Sequence, residues 1–283
     1  MSGLAKTVAK RVKAARAFVF DMDGTLVLGS ATGGNYTPFP GAMDLLAALR
    51  ARKTPFRVFT NGTAKPPAAY AAALREAGLD VADEEFMTPA SAAADWFVKK
   101  RIKRVRAMGN EGLHAPLREA GIEIIPPGAT DGGAQAVMTA WYKEFSLADL
   151  ERACKDIWAG AQLTTSSNVP FFATAGGRSI GHSFAINASI RALTGKKPRI
   201  LGKPSADAYF AALHRMGLPA DAAPQTVVVG DDPALEMRMA RLTGALGIAM
   251  TTGIQTAKNF RDGPESDRPH AILDGLQPIL EAL

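Results

Sequence analysis

Ala17-Phe18-Val19-Phe20-Asp21-Met22-Asp23-Gly24-Thr25-Leu26 is the stretch that decides the fold of this chain. Phe18 to Phe20 read as a short apolar strand that ends abruptly in two carboxylates one residue apart. Gly24 and Thr25 follow at once, where a chain turns out of a sheet. Open α/β sheets place their ligands at the carboxyl ends of parallel strands. Two acids crowded at such a point repel each other, so a positive charge is called for, and a hard divalent cation with oxygen ligands is the natural candidate. An EF-hand calcium loop does not fit. It needs a third acid before its glycine and a closing glutamate, whereas Gly24 comes directly after Asp23 and the glutamate position is Thr32. On these ten residues alone, an ordinary Asx turn remains the alternative.

Three distant segments shift the balance. Phe56 to Phe59 is a second apolar stretch, followed by Thr60-Asn61-Gly62, which offers a hydroxyl, an amide and close backbone N–H groups to an anion. Gly202-Lys203-Pro204-Ser205 supplies a positive charge, with Pro204 suited to the first turn of the Ala-rich helix that follows. Val227-Val228-Val229-Gly230-Asp231-Asp232 is a β-branched strand that again ends in carboxylates. In chain order these give acid pair, hydroxyl and amide, lysine, acid pair, each after a strand or before a helix.

These four segments resemble the four motifs of the haloacid dehalogenase (HAD) superfamily of phosphohydrolases. Over nearly its full length the chain is similar to subclass IIA, the NagD-like and p-nitrophenylphosphatase-like enzymes. The resemblance is specific at Asp-Met-Asp-Gly-Thr, Thr-Asn-Gly, Gly-Lys-Pro-Ser and Gly-Asp-Asp, and weak between about Met87 and Gly181.

Composition sets bounds around that core. The chain has 283 residues, room for one large domain or two ordinary ones, and a hydrophobic fraction of 47% is enough for a buried core. No apolar run approaches bilayer length, and the basic segment Lys6 to Arg16 reaches Asp21 too soon for a signal-peptide apolar region, so a cytoplasmic protein without a membrane partner is expected. The single cysteine, Cys154, excludes an internal disulfide and a cysteine-based zinc site, and it reads as a core residue in a helix. The formal charge of +6 is concentrated in Lys6, Lys10, Arg11, Lys13 and Arg16 and in Lys99, Lys100, Arg101, Lys103, Arg104 and Arg106. Neither cluster is interleaved with aromatic residues, so a nucleic-acid partner is not expected. His114, His182, His214 and His270 are scattered, with no pair at metal-ligand spacing, and no Walker lysine follows a Gly-rich loop.

Strand and helix patterns alternate at both ends of the chain. Phe18–Phe20 is followed by a helix over Gly41–Arg52, then Phe56–Phe59 and a helix over Pro66–Ala77. Later come Arg199–Leu201, a helix over Ala206–Met216, Thr226–Gly230, a helix over Ala234–Leu242 and Ala245–Met250. This predicts an α/β fold, a doubly wound, Rossmann-like parallel sheet built from 1–87 and 199–283. Between the second and third motifs, residues 88–198 hold further patterns but none of the four motifs. They include a strand over Ala134–Trp141 and a helix opened by Ser146 in a capping-box-like start. The resemblance implies that this insertion is an α/β cap domain of C2 type; because the four motifs are complete without it, hinges are expected near Thr88–Pro89 and Lys197–Pro198, and a homodimer through the cap is one partner arrangement to test.

The resemblance also assigns chemistry. Asp21 is the expected nucleophile, forming an aspartyl-phosphate, and Asp23 the acid and base; the spacing alone does not say which is which. The expected cofactor is Mg2+, held by the Asp21 carboxylate, the Asp23 backbone carbonyl and the Asp231 carboxylate, with Asp232 a further ligand or the orienter of a water. Thr60, Asn61 through its backbone and Gly62 would bind phosphoryl oxygens, and Lys203 would neutralise them and hold Asp21 ionised. Where family members often carry an aspartate after the fourth motif, this chain has Glu236.

Two further departures bear on substrate. Gly29 to Phe39 is longer than in close relatives, with Gly33, Gly34 and Asn35 at its centre, and reads as a surface loop. Near Thr164 the relatives show Thr-Asn-x-Asp, whereas this chain has Thr165-Ser166-Ser167-Asn168-Val169-Pro170 before Phe171-Phe172. Ser166, Ser167, Asn168 and Phe171 are the expected cap contacts to a small phosphorylated metabolite. The expected activity is a magnesium-dependent phosphatase. Phosphotransfer to another acceptor, as in mutases of the superfamily, and a non-catalytic phosphate-binding regulator are the rivals. Asp23 counts against the regulator, which needs no second acid, and against a dehalogenase, which has no leaving alkoxide to protonate.

Overall fold

The computed structural model describes residues 3–29, 36–174, 177–253 and 255–283. The chain divides into two compact units, one of Met1–Thr60, Ala68–Met87 and Tyr209–Leu283, the other of Asn61–Pro67 and Thr88–Ala208.

The first unit carries a six-stranded sheet. Its spatial order is Ala271–Leu273, Leu246–Met250, Thr226–Gly230, Ala17–Phe20, Phe56–Phe59 and Phe86–Met87, and every neighbouring pair is parallel. Counted along the chain this is the doubly wound order 3-2-1-4-5-6, which reverses between Ala17–Phe20 and Thr226–Gly230. Both strands are fully buried, as β-branched and aromatic runs covered on both faces must be. Phe18, Phe20, Phe56, Val58, Val227 and Val229 pack on Val12, Leu45, Leu49 and Leu74 from the helices Lys6–Lys13, Ala42–Ala51 and Pro67–Glu76. On another part of the unit, Ala249 packs with Met237 and Phe260.

The second unit carries a five-stranded, all-parallel sheet in the order Arg199–Ile200, Gln162–Thr165, Ala136–Thr139, Arg104–Met108 and Glu123–Ile125. Along the chain this reads 2-1-3-4-5, the other common doubly wound order. Arg199–Ile200 was expected in the first sheet; instead it pairs with Thr164 and Thr165, and Leu201 joins the core of Ala90, Phe97, Val105 and Met138. A two-residue strand has no periodicity of its own, so its neighbours decide where it goes.

Local expectations are met where capping chemistry is explicit. Ser146 opens the helix Leu147–Trp158, accepting from the Asp149 N–H while Asp149 accepts from the Ser146 N–H. Cys154 lies in the core of that helix with Ala153, Ile157 and Ile186. Pro204 does not enter the following helix. Ser205 accepts from the Asp207 N–H and the helix runs Ala206–Arg215, so Ser205 holds the capping position. In the second basic cluster Arg106 is buried, 2% exposed, and paired with Asp156 at 2.6 Å. Among the described residues no helix is long and apolar enough to cross a membrane.

Two antiparallel hairpins stand apart from the sheets: Val27–Gly29 with Tyr36–Pro38, and Phe171–Thr174 with Gly177–Ile180. Gly33, Gly34 and Asn35 of the first lie outside the described residues.

Candidate active site

In the first unit the acids converge where the strand order reverses. Ala17–Phe20 and Thr226–Gly230 run side by side with Phe20 opposite Val229, and the Asp21 N–H donates to the Val229 carbonyl at 2.8 Å. Asp21 and Asp231 therefore leave adjacent strands at the same end. On the other side Phe20 pairs with Val58, so Thr60, just beyond Phe56–Phe59, leaves the sheet at that end too. Asp21 is 8% exposed and takes the Thr25 hydroxyl on one oxygen at 3.5 Å. Asp23 is exposed.

Glycines allow this crowding. Gly24 has φ +79°, and a Cβ there would sit 2.4 Å from Asp231 Oδ2. A Cβ on Gly253 would come within 1.7 Å of the same oxygen. The Thr252 hydroxyl donates to the Gly24 carbonyl at 2.5 Å, tying the turn after Leu246–Met250 to the first motif. Sequence reasoning passed over Thr251-Thr252-Gly253. The signal was of a familiar kind, hydroxyls and a glycine directly after a buried strand.

Asp232 and Glu236 brace the fourth motif. Asp232 Oδ1 accepts from the N–H groups of Ala234 (2.7 Å) and Leu235 (3.2 Å), capping the turn Pro233–Met237. Glu236 is buried and accepts from the Asp232 N–H at 3.1 Å. Its side chain lies over Gly230, where a Cβ would sit 2.1 Å from Glu236 Cγ. Gly230 thus makes the room that the longer acid needs. On the ribbon after the first motif, burial and then the Asp23 charge raise the Tyr36 phenol above its ordinary range.

All these donors are oxygens, as a hard divalent ion requires. Among the described residues no three His, Cys, Asp or Glu side chains gather as a ready-made metal cage. Magnesium needs none, because it commonly keeps several waters beside one or two carboxylates. The pairing of Asp21 and Asp231, with the Gly24 turn pressed against Asp231, fits such a donor set.

The second unit brings together Asn61, Lys203 and Ser166. The Asn61 carboxamide bonds both backbone groups of Lys203: Asn61 Nδ2 donates to the Lys203 carbonyl at 3.0 Å, and the Lys203 N–H donates to Asn61 Oδ1 at 2.8 Å. A Cβ on Gly202 would stand 2.1 Å from the Ser166 carbonyl and 2.6 Å from Asn61 Oδ1, so only glycine lets the three segments meet. Lys203 is 2% exposed. Ser166 is buried, its N–H donating to the Thr139 carbonyl at 2.8 Å. Ser167 follows at a polar hub. Asn187 Nδ2 donates to Thr165 Oγ1 (2.8 Å), which donates to the Ser167 carbonyl (2.9 Å), where Ser183 Oγ also donates (2.9 Å). Asn168 is exposed, and Phe171, 51% exposed, lies on the hairpin.

Comparison with known proteins identifies the family. A haloacid dehalogenase-like hydrolase model matches residues 18–123 and a HAD-hydrolase-like model matches 200–279, between them well over half of the chain. A dihydroxyacetone phosphatase of Corynebacterium glutamicum is 26% identical over 267 residues, 93% of this chain and 90% of the relative. The crystal structure of a glycerol phosphate phosphatase from Mycobacterium tuberculosis in complex with magnesium superposes with a TM-score of 0.81 at 24% identity, covering 99% of this chain and 78% of that one. NagD from E. coli K-12 gives 0.80 at 23% identity, covering 93% and 97%. Doubly wound strand order, acids at its reversal point and these matches lead to one assignment: the chain belongs to the haloacid dehalogenase-like hydrolases and is a phosphatase of their subclass IIA, the NagD-like and p-nitrophenylphosphatase-like branch.

Proposed function

We propose that this phosphatase is magnesium-dependent and hydrolyses a small phosphorylated metabolite through an aspartyl-phosphate on Asp21. The observation that carries the reading is the side-by-side exit of Asp21 and Asp231 at the reversal of the strand order. Uncatalysed phosphate monoesters are slow enough that on the order of 20 kcal/mol must come from the enzyme, chiefly through positioning and charge neutralisation.

In the first step an Asp21 carboxylate oxygen bonds to phosphorus and the bond to the leaving oxygen breaks. The electron pair goes to that oxygen, which takes the Asp23 proton and departs as an alcohol. In the second, a water gives its proton to Asp23 and its oxygen to phosphorus. The Asp21–phosphorus bond then breaks, inorganic phosphate leaves, and both aspartates return to their starting states. Thr60, the Asn61 and Gly62 backbone and Lys203 hold the phosphoryl oxygens, with Lys203 supplying positive charge. The Asp21 and Asp231 carboxylates and the Asp23 carbonyl would hold magnesium, with Asp232 steadying the Asp231 turn. When bound, that ion neutralises charge on the transferring group. Selection among leaving groups falls to the inserted segment 88–198, with Ser166, Ser167, Asn168 and Phe171 as its contacts.

The test is phosphate release from a panel of triose, glycerol and sugar phosphates, with magnesium, after chelation, and after restoration. Turnover should vanish on chelation and return with magnesium. Calcium should substitute poorly because its larger, looser coordination misplaces the nucleophile. Asp21→Asn should be folded and inactive. Steady turnover by that variant, or undiminished activity without metal, would refute the proposal.

A further inference from the structure

The reaction needs Asp23 to present its carboxyl group to the leaving oxygen and later to a water. Asp23 is exposed, and an exposed aspartate samples several rotamers unless something beside it selects one. One neighbour is the ribbon of Val27–Gly29 and Tyr36–Pro38, where Gly29 pairs with Tyr36. A Cβ built on Gly29 would lie 2.6 Å from Asp23 Oδ1 and 3.5 Å from Tyr36 Cε1. The carboxylate of Asp23 thus occupies the space a side chain at position 29 would fill, with the Tyr36 ring as the other wall. Gly29 is not among the glycines with positive φ, so the backbone there would accept any residue. A side chain at this point would have to displace the Asp23 carboxylate.

We propose that Gly29 is a positioning residue for Asp23, and that with the Tyr36 ring it fixes the rotamer in which Asp23 exchanges protons with the leaving group and with water. This rests on the phosphatase reading given above. In this role Gly29 acts through Asp23. The sequence predicts a surface loop over residues 29 to 39, and the positioning role proposed here belongs to the two residues at its base, Gly29 and Tyr36.

Gly29→Ala is the test, because its methyl group displaces only the end of a short exposed side chain and imposes no backbone strain. The variant should melt close to wild type. Its kcat on glycerol 3-phosphate should fall about tenfold to a hundredfold, part of the 10²–10⁴ that general acid–base catalysis typically contributes. With p-nitrophenyl phosphate, whose leaving group needs no proton, the first p-nitrophenolate should still be released rapidly. Steady turnover should then slow, with phosphorylated Asp21 accumulating in quenched samples, because the second step still needs Asp23 as base. A merely structural defect would slow the burst and the steady state together. Tyr36→Ala should lower kcat in the same pattern with KM little changed. A crystal structure of Gly29→Ala gives an arm independent of activity, and should show the Asp23 carboxylate turned away. A carboxylate left in its wild-type place, an unchanged kcat on glycerol 3-phosphate, or loss of burst and steady state alike would overturn the proposal. Failure of the phosphatase reading would appear separately, as wild-type protein that releases no phosphate.

Discussion

Replacing Asn61 by leucine should weaken both the fold of the second unit and the handling of phosphate. The two side chains have nearly the same shape, so the change removes chemistry rather than volume. It deletes two hydrogen bonds, 3.0 and 2.8 Å long, made to the backbone carbonyl and N–H of one residue, Lys203. Lys203 is buried, so water cannot easily replace the lost partners. A buried polar group left unpaired costs about 1–3 kcal/mol, so two groups amount to about 2–6 kcal/mol if the backbone stays in place. For a unit of this size that lowers the melting temperature by roughly 6–24 °C, at about 3–4 °C per kcal/mol. If the backbone relaxes instead, part of the cost appears as a displaced Lys203, with a raised KM and a lowered kcat. Asn61→Asp is the informative companion. It keeps an acceptor for the Lys203 N–H but sets a carboxylate oxygen against the Lys203 carbonyl, so it should lose stability despite being isosteric. Thermal denaturation followed by circular dichroism, with kcat and KM measured on the same preparations, checks both arms. Asn61→Leu protein that melts within 2 °C of wild type with unaltered kinetics would refute the reasoning.

Other variants probe other parts of the structure. Asp156→Ala should cost about 3–5 kcal/mol in chemical denaturation, because it strands the buried Arg106 guanidinium, whereas Arg106→Met with Asp156→Leu should recover most of that loss. An Asp156→Ala protein as stable as wild type would contradict this. His270 accepts from the Gly247 N–H at 3.0 Å, and burial, then Arg241 and Arg11, press its pKa below the ordinary value. Its folded form resists the proton that the unfolded chain takes up, so stability should be full above about pH 6.5 and decline as pH falls toward and through the depressed value. His270→Gln should flatten the decline of melting temperature between pH 7 and pH 5, and an unchanged slope would count against the assignment.

The parts of this molecule legible in sequence are those where a local pattern and a global need coincide. Phe18 to Phe20 and Val227 to Val229 are strands on composition alone, and their acids had to sit at strand ends because nothing else in an α/β fold tolerates paired carboxylates after an apolar run. The unread parts share another character: they depend on what lies across space. Arg106 sits in a run of basic residues whose members the sequence alone does not tell apart. Only Asp156, with the Ala129 and Asp131 carbonyls that also accept from its guanidinium, turns it inward. Arg199–Ile200 looks like the start of the closing half of the first sheet, yet its partners are Thr164 and Thr165. Asn61 sits in the second motif, where its backbone suggests an anion site, but its side chain is spent on a peptide 142 residues away. Gly29 looks like any loop glycine until the Asp23 carboxylate is seen in the space of its missing Cβ. In each case the residue type is ordinary and the partner supplies the meaning. Motifs therefore nominate the reacting groups, whereas the residues proposed to aim them, Asn61 for Lys203 and Gly29 for Asp23, emerge only when distances are known. That division has a physical basis. A nucleophile must be a particular chemical group, but a residue that aims it need only have the right shape and hydrogen-bonding edge at one point in space.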